Sequence, residues 1–339
     1  MIKIGAIDSL TKDCIIRLSA CQNAQIFLAR PAIAARLEKN DKMILSESEY
    51  NEFAALTAKY THEEYIGGSA FNTCSTIAAA LDEVKVSFIT PPSSNKGALT
   101  HTKNLEFMPL DPADAHLVIP RVSFICLDER GNKLVLKYLG NIYEYLKTHS
   151  AYLENLKNSL NEIITNADLF FLPGGITKKF PYEIFSHALD VAAKSKAKLI
   201  FALPTHSDFN AEEIALYKRA LTQSSIILGN ADEMKSTVGA VEELKKLNAT
   251  SLITDGANDA QIIVDGHITH IKPLILPANV ASLTGAGDAA YAGFIIGLLQ
   301  KQTSGDCARI AMIFANEVLK IASARLLEPG SILQKIIKN

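Results

Sequence analysis

The chain has 339 residues, of which 48% are hydrophobic and 21% charged, a balance that supplies a globular core and excludes a disordered chain. A formal net charge of −2, with nothing basic clustered, excludes the electrostatic footprint of a nucleic-acid binder. Five cysteines, Cys14, Cys21, Cys74, Cys126 and Cys307, are odd in number and lack C-x-x-C spacing, which argues against a disulfide framework or a zinc site and for buried thiols.

The length exceeds a usual single core, so one large domain with an appended lid, or two domains, is expected. The N-terminus enters strand-like Ile2-Lys3-Ile4-Gly5-Ala6-Ile7 at once, and no apolar run of about 18 residues occurs. A cytoplasmic location without membrane contact is therefore the expectation. Residues 2–7 read as a buried strand and 13–18 as another; 73–81, rich in alanine, reads as a buried helix after a glycine turn, and 84–90 as a strand. Between them lie polar, charged pieces such as 39–52. Strand-like 118–127 and 133–138 flank Asp128-Glu129-Arg130-Gly131-Asn132, whose Gly-Asn pair marks a hairpin. Such strands, interrupting an α/β pattern, build a separate small sheet.

From about residue 150 the pattern becomes regular: helix 151–165, strand 169–172, helix 181–195, strand 198–203, helix 211–222, strand 225–228, a short helix and strand 251–254. Strands alternating with helices imply a parallel sheet covered on both faces, with ligands bound beyond the carboxyl ends of the strands. Four suggestive segments sit at those ends: Pro173-Gly174-Gly175, Pro204-Thr205-His206-Ser207-Asp208, Gly229-Asn230-Ala231-Asp232-Glu233 and Asp255-Gly256-Ala257.

Beyond them, Thr284-Gly285-Ala286-Gly287-Asp288 runs straight into an apolar helix. Small residues leave room for a phosphate against backbone N–H groups at the positive end of a helix dipole, and Asp288 at the rim is placed to take a proton from a hydroxyl. The same residues also suit a loop that caps a buried helix, with Asp as an N-terminal charge.

A second signature, Gly67-Gly68-Ser69-Ala70-Phe71-Asn72, precedes the alanine-rich helix, and Asn230-x-x-Glu233 and Thr254-x-Gly256 fall in order between the two. Together these motifs resemble the PfkB/ribokinase family of ATP-dependent sugar and nucleoside kinases, nearly end to end. The resemblance implies a ribokinase-like α/β fold: one Rossmann-type, mostly parallel sheet with helices on both faces over residues 1–339, plus a small β-sheet lid from about 13–50 and 97–140. It implies ATP and Mg²⁺ as cofactors and a small-molecule acceptor, and leaves monomer or homodimer open.

Residue by residue, the resemblance makes Asp288 the catalytic base and Gly285, Ala286 and Gly287 the anion hole for the transferred phosphoryl. Asn230 and Glu233 match an Asn-x-x-Glu that organises Mg²⁺ and phosphates largely through water. Thr254 and Gly256 resemble the start of the nucleotide loop, and Asn316 lies on the helix flanking the adenine in relatives. Gly67, Gly68 and Asn72 resemble the substrate side, where an Asp grips two sugar hydroxyls; Asp13 is the better match and Asp8 the alternative.

Ser69 resembles adenosine kinases, as does 202–209, so adenosine stands ahead of free sugars such as ribose or fructose. Phe124, Leu136 and Tyr138 are candidates for a base slot, or else ordinary sheet packing, and Lys137 either reaches a phosphate or is an edge lysine. Two departures from the family stand out: Ser282-Leu283 where relatives keep Asp-Thr, and Asp259 where glycine is common. They are the support for a rival reading, a non-catalytic nucleotide or nucleoside sensor. His206 with Asp208 lacks a serine nucleophile elbow, and His267 and His270 read as hairpin surface.

Overall fold

Consecutive side chains along the strands of the larger sheet enter two different cores, which is how a sheet covered on both faces is written in sequence. Phe171, Ile200, Leu228 and Leu252 belong to one core, while their neighbours Phe170, Leu199, Ile227 and Ile253 belong to the other. The computed structural model describes residues 1–37, 42–91, 103–108, 118–129, 133–205, 208–275, 277, 280, 284–321, 324–326 and 328–338.

Nine strands form this sheet in the order β14 (His267–Ile271), β13 (Ala260–Val264), β12 (Thr250–Thr254), β11 (Ser224–Asn230), β10 (Lys198–Ala202), β9 (Leu169–Pro173), β1 (Ile2–Ile7), β5 (Val84–Ile89) and β6 (Leu105–Phe107). Pairing is parallel from β12 to β6, and β13 and β14 add an antiparallel edge. Helices Ser69–Ala80, Ala286–Leu299, Ser304–Val318 and Pro329–Lys338 cover one face; Ile142–Thr148, Ser150–Asn166, Tyr182–Lys194 and Ala211–Gln223 cover the other.

Helix Ala286–Leu299 is buried continuously from Ala289 to Gly297, as its all-round apolar sequence requires. A Cβ on Gly293 would stand 2.8 Å from the Ile310 carbonyl oxygen, so this helix and Ser304–Val318 touch backbone to backbone. All five cysteines are free and buried. No helix among the described residues is long and apolar enough to cross a membrane.

The second sheet has the order β3 (Lys42–Ile44), β8 (Lys133–Tyr138), β7 (Arg121–Leu127), β2 (Thr11–Arg17) and β4 (Thr61–Gly67). β4 extends it beyond the expected 13–50 segment, and Leu105–Phe107 from the expected 97–140 segment pairs instead with β5 of the larger sheet. The β7–β8 pair is antiparallel as the hairpin pattern implies, though its turn at 130–132 lies outside the described residues. Helices Gln22–Leu28, Pro31–Leu37 and Glu47–Thr57 back the sheet, where the sequence had suggested only polar pieces. The third is opened by a capping box between Ser46 and Glu49, a signal present in its sequence.

Strand alternation corrects one site expectation. Val122, Phe124, Cys126 and Leu136 share a core with Phe27 and Phe53 under the helices, and Phe124 meets the Phe53 ring edge-on at 5.0 Å. Tyr138 stacks on Tyr50 at 4.2 Å. The expected base slot is thus the lid's own core; Arg121, Ser123 and Ile125 occupy the opposite face of β7. Phe124→Ala is accordingly expected to cost about 3–5 kcal/mol of stability in urea unfolding, with the KM of every acceptor unchanged in the folded protein. A nucleoside-specific rise in KM at unaltered stability would contradict this placement.

Candidate active site

The carboxyl ends of β1, β9, β11 and β12 face one edge of the larger sheet, and the start of helix Ala286–Leu299 comes down over that edge. Gly285 is the residue before this helix and has φ +85°, a left-handed conformation natural to glycine. A Cβ there would also overlap the Ala324 carbonyl oxygen. The first intrahelical bond runs from the Ala289 amide to the Gly285 carbonyl at 2.8 Å. Ahead of it, the amides of Ala286, Gly287 and Asp288 belong to the first turn, whose N–H groups have no partner inside a helix. Gly287 is exposed and has no atom closer than 4.0 Å to where a Cβ would stand, so a phosphate can approach its backbone.

Asp288 is fixed against helix Ser69–Ala80. Ser69 Oγ donates to its Oδ1 at 2.5 Å, Asn72 Nδ2 to its Oδ2 at 2.8 Å, and Thr73 Oγ1 to its backbone carbonyl at 3.2 Å. Burial pushes this carboxyl up to about 6; Asp8 adds to the rise, while the bonds from Ser69 and Asn72 and the charge of Lys179 oppose it. A carboxylate poised in this range, with Oδ atoms already oriented, is a competent general base near neutral pH. Asn72 Oδ1 is buried and meets no hydrogen-bond partner among the described residues, as expected of an atom kept for a ligand hydroxyl.

Both candidate aspartates lie on this side of the cleft. Asp8, just past β1, has no exposed surface: its Oδ1 accepts from the Ser9 amide at 2.7 Å and pairs with Lys179 Nζ, and its Oδ2 accepts from the Ala70 amide at 3.3 Å. Asp13 stands on β2 opposite Tyr65 of β4, and its carboxylate lies against the Cα of Gly67, where any side chain would collide with it. Gly68, at φ +127°, then turns the chain into helix Ser69–Ala80.

Two residues of this region were not anticipated. Lys179 follows the 3-10 turn Gly174–Lys178 that Pro173-Gly174-Gly175 begins; burial pushes its ammonium down and Asp8 holds it up. Arg121, at the start of β7, is also pushed down by burial, with Asp8 opposing. The one sequence signal for either was a charged residue at the margin of an apolar strand or after a glycine turn, which specifies no function.

On the other side, Asn230 ends β11 and caps helix Ala231–Thr237. Asn230 Oδ1 accepts from the Glu233 amide and Glu233 Oε2 from the Asn230 amide, both at 2.9 Å, while Tyr291 OH donates to Glu233 Oε2 at 3.4 Å. The Asn-x-x-Glu motif is therefore a capping box first. Among the described residues no three His, Cys, Asp or Glu side chains gather as a metal site. One oriented carboxylate, Glu233, would suit a Mg²⁺ that keeps its waters and is held chiefly by a nucleotide. Thr254 Oγ1 lies 3.5 Å from the Gly229 carbonyl, Gly256 has φ +55°, and Asn316 Nδ2 donates to the Ile275 carbonyl at 2.9 Å. Asp259 is exposed, as are His267 and His270 on β14; His206, Ser207, Ser282 and Leu283 lie outside the described residues.

The chain resembles solved structures over nearly its whole length. An adenosine kinase from Sinorhizobium meliloti superposes with TM-score 0.74 at 16% identity, covering 98% of this chain and 99% of that one. A probable sugar kinase from Rhizobium etli CFN 42 gives TM-score 0.72 at 16% identity, covering 98% of each chain. Ribokinase from Thermotoga maritima gives TM-score 0.65 at 14% identity over 100% of both chains. At these identities the likeness shows the fold. No curated protein matches the chain in sequence. Residues 41–329, by contrast, match the family model of the pfkB family carbohydrate kinases, and the chain belongs to that family.

Proposed function

We propose that this chain transfers the γ-phosphate of ATP to a hydroxyl of a sugar or nucleoside, with Asp288 as the base. The observation that carries this reading is the first turn of helix Ala286–Leu299, where amides without a partner inside the helix and a carboxylate of raised pKa lie side by side, the carboxylate anchored to helix Ser69–Ala80 by Ser69 and Asn72. The acceptor hydroxyl gives its proton to Asp288 as its oxygen attacks the γ-phosphorus in line, and the bond from the γ-phosphorus to the β,γ-bridging oxygen breaks so that ADP leaves with its electron pair. The amides of Ala286 and Gly287 stabilise charge on the transferring phosphoryl oxygens. Asp13 and Asn72 orient the acceptor through its other hydroxyls, with Gly67 and Gly68 allowing close approach.

The nucleotide lies toward β11 and β12, with Thr254, Gly256 and Asn316 along its course. Glu233 and Asn230 would hold Mg²⁺, and the ion would supply charge neutralisation of the phosphates. Closure of the second sheet over the cleft would exclude water and limit ATP hydrolysis.

Adenosine as acceptor draws support from Ser69 and from the adenosine kinases among the similar structures. The packing of Phe124 and Leu136 in the lid core and of Tyr138 on Tyr50 takes away the base slot expected from them, which supports a sugar as the second reading. ADP release measured across adenosine, ribose, fructose and their phosphates separates these acceptors.

Two outcomes test the base. Asp288→Asn is expected to lower kcat by about 10²–10⁴-fold with ATP binding retained in a calorimetric titration, and near-normal turnover would remove Asp288 from the chemistry. Because the ionised form is the base and its pKa is raised to about 6, kcat/KM is expected to rise with pH through that value and level off above it. A flat profile from pH 5 to about 8 would contradict the assignment.

A further inference from the structure

Helix Ser69–Ala80 begins at Gly68, which has no side chain to cap the amides of the first turn. Asp8 takes that part from 62 residues away in the chain: its Oδ2 accepts from the Ala70 amide at 3.3 Å. The same oxygen lies 3.5 Å from where a Cβ on Gly68 would stand, so the carboxylate occupies the region of a missing cap, at the positive end of the helix dipole. The helix start held in this way carries Ser69 and Asn72, the two side chains bonded to the Asp288 carboxylate. Asp8 thus reaches the base through one turn of helix.

Asp8 also reaches it by charge. Two carboxylates close together away from water disfavour each other's ionised form, and a cation beside them favours it. Here the cation is shared unequally. Lys179 Nζ is bonded to Asp8 Oδ1 and acts on Asp288 by charge alone, while the Asp288 oxygens accept from the neutral donors Ser69 and Asn72. Of the other groups around Asp288, Thr73 bonds its backbone carbonyl, and Tyr291 feels its charge from the next turn of the same helix. Arg121, on β7, interacts with Asp8 and Lys179.

We propose that Asp8 and Lys179 are positioning residues of the base: the Asp8 carboxylate holds the start of helix Ser69–Ala80 against Asp288, and the opposed charges of the pair set the field in which Asp288 accepts a proton. This rests on the kinase reading above, in which Asp288 is the base. Neither residue of the pair takes the proton itself.

The test follows the ¹³C resonance of the Asp288 side-chain carboxyl against pH in the full chain without substrate, the resonance being identified by its loss in Asp288→Asn. The parent midpoint is expected at about 6. Removing a cation disfavours the carboxylate and removing an anion favours it. Lys179→Met is therefore expected to raise the midpoint and Asp8→Asn to lower it, each by about half a unit or more, whereas Lys179→Arg, which keeps the charge, leaves it in place. Loosened packing alone gives no reason for the two to move in opposite directions.

Each single variant strands a buried charge, so the double variant Asp8→Asn/Lys179→Met, which strands none, supplies a second comparison. Its midpoint is expected below that of Lys179→Met and above that of Asp8→Asn, and either comparison decides if the other single variant does not fold. Midpoints that stay in place or move together would overturn the proposal. So would a double variant that folds when neither single variant does, because the pair would then be structural. Failure of the kinase reading looks different: no ADP release with adenosine, ribose, fructose or their phosphates, while the Asp288 midpoint still answers to both charges.

Discussion

Everything proposed for this protein depends on how one helix begins. Helix Ala286–Leu299 is buried nearly all round, so its axis is fixed by packing against the sheet and the two helices beside it. Its start is fixed by Gly285, whose left-handed backbone and closeness to Ala324 admit no side chain. From that start, Asp288 reaches Ser69 and Asn72 on the side proposed for the acceptor, and one turn later Tyr291 reaches Glu233 on the side proposed for the nucleotide. A single rigid element thus joins the two halves of the cleft, and phosphoryl transfer, which is mostly positioning and electrostatics, gains from that rigidity.

The second constraint is charge in a water-poor space. Asp8 and Asp288 lie near Lys179, and Arg121 near Asp8 and Lys179; Asp8 is bonded to Lys179, whereas Nε and Nη1 of Arg121 find no partner among the described residues. Burial raises the Asp288 carboxyl, Asp8 raises it further, and Lys179 limits the rise. The Asp8–Lys179 pair therefore acts on the Asp288 carboxyl with opposing charges. The same burial that raises the Asp288 carboxyl lowers the Arg121 guanidinium from its ordinary range.

The regular half of the fold was legible in the sequence because each strand from Leu169 to Thr254 is a short apolar run and each intervening helix has its own apolar stripe. The turn around Asp288 and the Asn72 helix were legible through glycine and small-residue spacing. The helices behind the second sheet were not, since Gln22–Leu28 and Glu47–Thr57 carry polar residues on most faces and bury few side chains. Period-two alternation shows that β7 has two faces without saying which meets the cleft, so it does not reveal that Phe124 packs in the lid core on the face opposite Arg121. Lys179 and Arg121 carry no motif; only the folded chain brings them from different elements to Asp8. The Asn-x-x-Glu pair was visible, but its first task, closing a helix start, emerges from the bonds between Asn230 and Glu233.

The most direct measurement is of the helix start itself, by following backbone amide resonances while a non-hydrolysable ATP analogue and Mg²⁺ are added. The amides of Ala286, Gly287 and Asp288 are expected to shift strongly on saturation, more than those of the second sheet, because their N–H groups meet the terminal phosphate. Nucleotide binding that leaves these three resonances in place would contradict the account.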